Sequence, residues 1–137
     1  MANRRPCLIL GLVLTVLVSV AAQQTESPPT TELLPTVDFQ RDVRPILSDN
    51  CFHCHGPDQS TRQVRLRLDT EDGAFSPRPN GAPIVAGDLE ASLLYQRITH
   101  QDERRRMPPA AMTNKTLSAE QIDVLRRWID EGAAWDQ

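Results

Sequence analysis

The spacing of apolar residues predicts a helix at the start of the region that follows residue 37. Its apolar positions recur at helical intervals and lie on one face: Phe39, Val43, Ile46 and Leu47. Asp38 stands where an N-cap residue belongs. Pro45 lacks a backbone N–H and disfavours helix at Arg44, so the pattern predicts either a kinked helix or a short helix that begins near Arg44.

The spacing of apolar residues changes along the next part of the chain. Val64, Leu66 and Leu68 alternate with arginines, which predicts a short extended segment near 64–69. Glycine and proline are then frequent over 71–83, as is typical of turns. A second helix is predicted over 89–100, where Asp88 can cap the start and an apolar stripe follows: Leu89, Leu93, Leu94 and Ile98.

The clearest helix signal lies near the C-terminus. Ser118 and Gln121 have the spacing of a capping box, and Leu117 and Ile122 have that of a hydrophobic staple. The apolar period then continues along one face of the predicted helix. Gly132 is placed to end it.

The first residues have the pattern of an export signal. Two arginines precede an uncharged apolar run at 8–20 and two alanines follow, so residues 1–22 are interpreted as a signal peptide. Retention of the run as a membrane anchor is the alternative. Residues 23–37, rich in proline and hydroxyl side chains, are interpreted as a flexible linker, and residues 38–136 as one domain. The sequence thus predicts an exported protein, in the periplasm or at the outer face of the cytoplasmic membrane.

Length, charge and cysteine content limit the classes of function. The chain has 137 residues, enough for a single domain. Removal of residues 1–22 would lower Lys plus Arg from 15 to 13 against 18 acidic residues, so the net charge would change from −3 to −5. A nucleic-acid partner is therefore not expected. Cys51 and Cys54 would be the only cysteines left, which excludes a disulfide-stapled scaffold.

Cys51, Cys54 and His55 form a CxxCH motif that can carry covalent haem. Residues three and four apart on a helical turn share a face, so both thiols can reach the vinyl groups on one porphyrin edge while the imidazole reaches the iron. Gly56 allows the chain to turn away after the ligand. The motif predicts one covalent haem c with His55 as an iron ligand. Attachment requires the haem c maturation machinery as a partner.

Zinc and redox-disulfide chemistry are the rival interpretations of this motif. A structural zinc site needs four ligands, and beyond Cys51, Cys54 and one adjacent histidine the chain offers only His100. A thiol–disulfide enzyme carries its CxxC in a strand–helix–strand unit, which the sequence does not predict. Haem is therefore favoured over both. His53, between the two thiols, is predicted to be exposed.

Met107 is the predicted second iron ligand, because a thioether opposite histidine is a common ligation in cytochromes c and raises the reduction potential. Pro108 and Pro109 stiffen the loop that carries it. Met112 lacks this rigid flank, and His100 is interpreted as a polar residue at a helix C-terminus. Both remain alternatives for the ligand.

Two groups of arginines can neutralise haem propionates or contact an acidic partner. They are Arg104, Arg105 and Arg106, and Arg62, Arg65 and Arg67. Because a solvated surface is the usual role of such runs, no single arginine is predicted to bind.

Several segments together closely resemble the planctomycete-type cytochrome c domain. They are DFQRDVRPILSDNCFHCHGPD, VRLRLDT, GDLEASLLYQRI, RMPP and LSAEQIDVLRRWIDEGAAW. The resemblance implies an all-α, cytochrome c-like fold around one covalently bound haem, whose first and last helices pack across each other. It implies thioether bonds from Cys51 and Cys54, with His55 as proximal and Met107 as distal ligand. Members of the family are often the front part of longer exported proteins.

The predicted function is that of a monohaem c-type cytochrome, which transfers single electrons between redox protein partners and is not an enzyme. Two alternatives stay open. A peroxidase-like haem enzyme would need an open or weakly held sixth position on the iron. A haem-bearing module for interaction or sensing in a larger exported system would not need rapid electron exchange.

Overall fold

The computed structural model describes residues 36–136. The predicted signal peptide and almost all of the predicted linker lie outside this range. Every regular element within it is helical: a π-helical turn at Phe39–Val43, then α1 (Arg44–Asn50), α2 (Phe52–His55), α3 (Glu71–Phe75), α4 (Leu93–Ile98), α5 (Ala110–Thr113) and α6 (Ala119–Asp130). The all-α prediction is confirmed. Between residues 36 and 136, no helix combines the length and the apolar character needed to cross a membrane.

The first helical region begins as the sequence indicates. Asp38 accepts a hydrogen bond from the Arg41 N–H at 2.7 Å. The turn Phe39–Val43 is then π-helical and is closed by an i to i−5 bond that the Arg44 N–H donates. Pro45 accounts for the wider turn, because it has no N–H for the Arg41 carbonyl and its ring crowds that oxygen. Of the two predicted alternatives, the structure has the helix that begins at Arg44.

The segment at 64–69 contains no strand. Val64 and Arg65 have φ angles of 51° and 53°, which form a left-handed turn. The prediction of extended backbone is therefore wrong at these two residues. Leu68 is nevertheless buried, and its N–H donates to the His55 carbonyl at 2.7 Å. This bond attaches the segment to His55, the last residue of α2.

Helix α4 is shorter than predicted and does not include residues 89–92. Ser92 is fully buried, and its hydroxyl accepts from the Val85 N–H at 2.9 Å and donates to the Asp88 carbonyl at 2.6 Å. The first two N–H groups of α4 donate to loop carbonyls, those of Ala82 and Pro83. Tertiary hydrogen bonds thus replace the predicted first turn.

Helix α6 agrees with its sequence signals. The Ser118 hydroxyl accepts from the Gln121 N–H at 3.2 Å, and the Gln121 side chain accepts from the Ser118 N–H at 3.0 Å. Gly132 follows with a φ of 104°, which suits the end of a helix. The helix packs against the π-helical turn, so the first and last helical regions are in contact, as the resemblance implies.

An aromatic cluster fills the contact between the two ends of the domain. Phe39 lies with its ring centroid 4.0 Å from that of Trp135 and 5.6 Å from that of Trp128. Phe75 of α3 packs edge-on against both indoles. Val37, one residue before the predicted start of the domain, is also buried and donates its N–H to Glu131. These few aromatic residues therefore supply the large planar side chains of a core that is otherwise mostly aliphatic.

Truncation of the core at α6 should be strongly destabilising. Leu125 is fully buried, and we expect Leu125→Ala to lower the free energy of unfolding by about 2–5 kcal/mol, since the change removes apolar contacts and leaves a cavity. Urea unfolding of the purified protein measures this. The control is Met112→Ala, because Met112 is 76% exposed, and its expected effect is within about 0.5 kcal/mol. Equal losses in both variants would contradict the packing of α6.

Candidate haem site

The CxxCH motif occupies one helical turn that directly follows α1. The Cys51 N–H donates to the Leu47 carbonyl at 2.8 Å, and the His55 N–H donates to the Cys51 carbonyl at 2.8 Å. Cys51 and His55 therefore lie on the same side of the turn. A Cβ atom at Gly56 would overlap the Phe52 carbonyl oxygen, so the chain can leave α2 in this direction only with glycine.

A cavity of about 390 Å³ borders this turn. Cys51 and His55 line it from the motif, and Met107 lines it from the loop between α4 and α5. Much of the wall is aliphatic, with side chains such as Leu66, Leu68, Leu93, Leu94 and Ile98. A thiol, an imidazole and a thioether thus face one apolar space. That donor set fits a covalently attached haem with two axial ligands.

The surroundings of Met107 differ from those of the two alternative ligands, Met112 and His100. The Met107 N–H donates to the Arg97 carbonyl at 3.0 Å, which ties the methionine loop to α4. Met112 is 76% exposed on α5. The Nδ1 atom of His100 accepts a hydrogen bond from the Asp102 N–H at 3.0 Å, and His100 is not among the lining residues of the cavity. Of the three candidates, Met107 is the one beside the motif's cavity.

A second cavity, of about 310 Å³, lies beside the aromatic cluster. Its lining residues are Phe39, Gln40, Arg44, Phe52, Asp69 and Trp135. None of these is a predicted thioether or iron ligand, so the cavity that contains His55 and Met107 is the candidate site.

One comparison with known protein families found a match. Residues 51–111 match the family model described as planctomycete cytochrome C. The match supports the predicted family, and the matched range begins at Cys51 and includes His55 and Met107. Similarity to a cytochrome c family indicates a domain that binds haem. No curated protein and no solved structure matches the chain.

Burial controls the protonation of His55 in the cytochrome domain. Removal from water lowers the pKa of His55. The Gln63 backbone raises this pKa, whereas the positive charge of Arg78 lowers it further. Burial therefore favours the neutral form of the imidazole, which keeps a lone pair for a metal ion. Its Nδ1 atom is buried and has no hydrogen-bond partner among residues 36–136.

The two thiols of the cytochrome domain are free but differ in their surroundings. Burial and the neighbouring Cys54 raise the pKa of Cys51 to about 12. Cys54 is half-buried and is not among the lining residues, and His53 is exposed as predicted. In the described part of the chain, no group of three or more His, Cys, Asp or Glu residues is arranged to hold a metal ion.

The arginines beside the cavity are not those that the sequence singled out. Arg78, which is half-buried, and Arg97, which is exposed, line it; Arg104 and Arg105 are also exposed but lie outside the lining. The other arginines named from the sequence also lie outside the lining: Arg106 pairs with Glu103, Arg67 pairs with Asp69, Arg62 donates to the Gly56 carbonyl, and Arg65 is exposed.

A signal for one of the two lining arginines was present in the sequence. Arg97 follows Leu93 by four residues and Leu94 by three, so it shares the helix face that lines the cavity. Arg78 lies in the turn-rich segment, where no period marks its position.

Proposed function

We propose that the protein is an exported c-type cytochrome that transfers single electrons between redox protein partners. The observation that carries this proposal is the convergence of Cys51, His55 and Met107 on one apolar cavity. Cys51 and Cys54 would hold the haem through thioether bonds, and His55 and Met107 would be its iron ligands. When bound, the haem supplies a metal centre that alternates between two oxidation states.

The protein contributes ligand identity and burial. His55 is neutral and partly removed from water, and Met107 is fixed by its backbone bond to Arg97. Aliphatic walls exclude water from the site and favour the state of lower charge, so they raise the reduction potential. None of these groups needs to bind or transform a substrate, which supports a carrier over an enzyme.

Export and location rest on the apolar run at 8–20 and remain part of the proposal. We place the protein in the periplasm or at the outer face of the cytoplasmic membrane, anchored there if the signal is retained. Its partners are redox proteins and the haem c maturation machinery. The negative net charge supports a function that does not involve nucleic acid.

Reversible electron exchange tests the carrier function. Spectroelectrochemical titration of the purified, haem-loaded protein should give one transition with the slope of a one-electron couple, identical in both directions. The six-coordinate iron should also resist added cyanide and should not turn over hydrogen peroxide, since no coordination position is open. Rapid cyanide binding together with peroxide turnover would contradict the carrier and favour the peroxidase-like alternative. A couple too slow to exchange electrons with a respiratory membrane would favour the interaction or sensing module.

A further inference from the structure

The candidate haem cavity has an uneven distribution of charge. Two of its lining side chains carry a permanent charge, and both are arginines, Arg78 and Arg97. The lining includes no aspartate or glutamate. A largely apolar wall with two cations is complementary to a flat, apolar ligand that carries two carboxylates.

Each guanidinium is held in position and keeps donors to spare. Arg97 donates from one terminal nitrogen to the Arg105 carbonyl at 3.2 Å. Arg78 donates to the Val64 carbonyl at 2.7 Å and to the Arg65 carbonyl at 3.4 Å. Since a guanidinium has five N–H donors, at least three remain on each side chain. Neither arginine forms an ion pair with a carboxylate of residues 36–136.

We infer that Arg78 and Arg97 bind the two propionate carboxylates of the haem, an assignment that rests on the proposed function. Each arginine meets a negative charge that would otherwise lie unpaired beside an apolar wall. The run at 104–106, which lies outside the lining, then has no part in binding the cofactor.

Arg78 has a second role in this arrangement, because it joins the propionate to the left-handed turn. Val64 is β-branched, and its φ of 51° is a conformation that such residues rarely adopt. The Arg78 bonds to the Val64 and Arg65 carbonyls hold that turn at the edge of the cavity, which Val64 lines. Binding of a carboxylate by Arg78 would therefore also hold the turn at the edge of the cavity.

The reduction potential of the haem-loaded protein tests the assignment. We compare Arg78→Gln and Arg97→Gln with the controls Arg104→Gln and Arg105→Gln, which also remove one positive charge each but lie outside the lining. A propionate without its arginine leaves negative charge near the iron and favours the oxidised state. At a fixed applied potential, each cavity variant should lower the ratio of reduced to oxidised protein about threefold. The double variant should lower it about tenfold, which is about 59 mV for one electron.

The controls should change this ratio by less than about 1.5-fold, because their charges lie outside the lining and are screened by solvent and salt from a carboxylate in the cavity. Shifts in the cavity variants no larger than those in the controls would overturn the assignment. If Arg78→Gln does not accumulate, Arg78→Lys replaces it; this variant keeps the charge and loses the planar fork. The propionate bending band in resonance Raman spectra should then move in Arg78→Lys and Arg97→Gln but not in the controls, and an unchanged band would again overturn the assignment.

These results separate the assignment from the proposed function. A wild-type protein without attached haem would overturn both. A haem-loaded wild type whose cavity variants behave like the controls would overturn the propionate assignment alone.

Discussion

Met107→Ala is expected to change the haem iron from low-spin to high-spin and to lower its reduction potential by on the order of 100 mV or more. The thioether stabilises the reduced iron, and its removal leaves a position that water fills. Visible spectra of both oxidation states and a potentiometric titration measure the two effects.

The matched control for this change is Met112→Ala. Met112 lies five residues later and is 76% exposed, so its removal should leave the spectrum and the potential unchanged. If Met107→Ala behaves like wild type while Met112→Ala or His100→Ala loses the low-spin spectrum, the distal ligand has been misassigned.

Joint replacement of Cys51 and Cys54 by alanine is expected to abolish covalent haem. Without thioether bonds the cofactor separates from the unfolded chain, so haem staining on a denaturing gel should fall by more than about tenfold. His53→Ala is the control, because His53 lies between the thiols and is exposed. It should stain like wild type. Equal staining of the cysteine variant and the control would show that neither thiol carries the haem.

Features encoded by neighbouring residues could be predicted from the sequence. The capping box of α6 requires only Ser118 and Gln121, three positions apart, and both of its hydrogen bonds are present. The CxxCH spacing likewise needs a single helical turn. Met107 was predicted as the distal ligand from its proline flank and from the family resemblance. In the structure it lines the same cavity as Cys51 and His55, and its role as a ligand stays a prediction.

Features that depend on distant residues could not be predicted in this way. The start of α4 is determined by the buried Ser92 hydroxyl and its bond to Val85. The left-handed turn at 64–65 is held by Arg78, which lies 14 residues after Val64. In both places a tertiary hydrogen bond overrides the local period.

The positions of the two cavity arginines likewise depend on the fold. A run of three adjacent arginines is conspicuous in a sequence, but Arg104 and Arg105 lie outside the lining of the cavity. Arg97 is single and lies within an apolar stripe, and Arg78 lies in a loop whose path only the fold determines. Their proposed common role rests on their place in the wall that also contains His55 and Met107.

We propose that this cavity holds a covalent haem with His55 and Met107 as ligands. The oxidised and reduced visible spectra of the protein, purified from a host with haem c maturation, test this proposal. We predict low-spin spectra in both states and, in the oxidised state, the weak long-wavelength band of methionine bound to ferric iron. A colourless protein with two titratable thiols at Cys51 and Cys54 would contradict the claim.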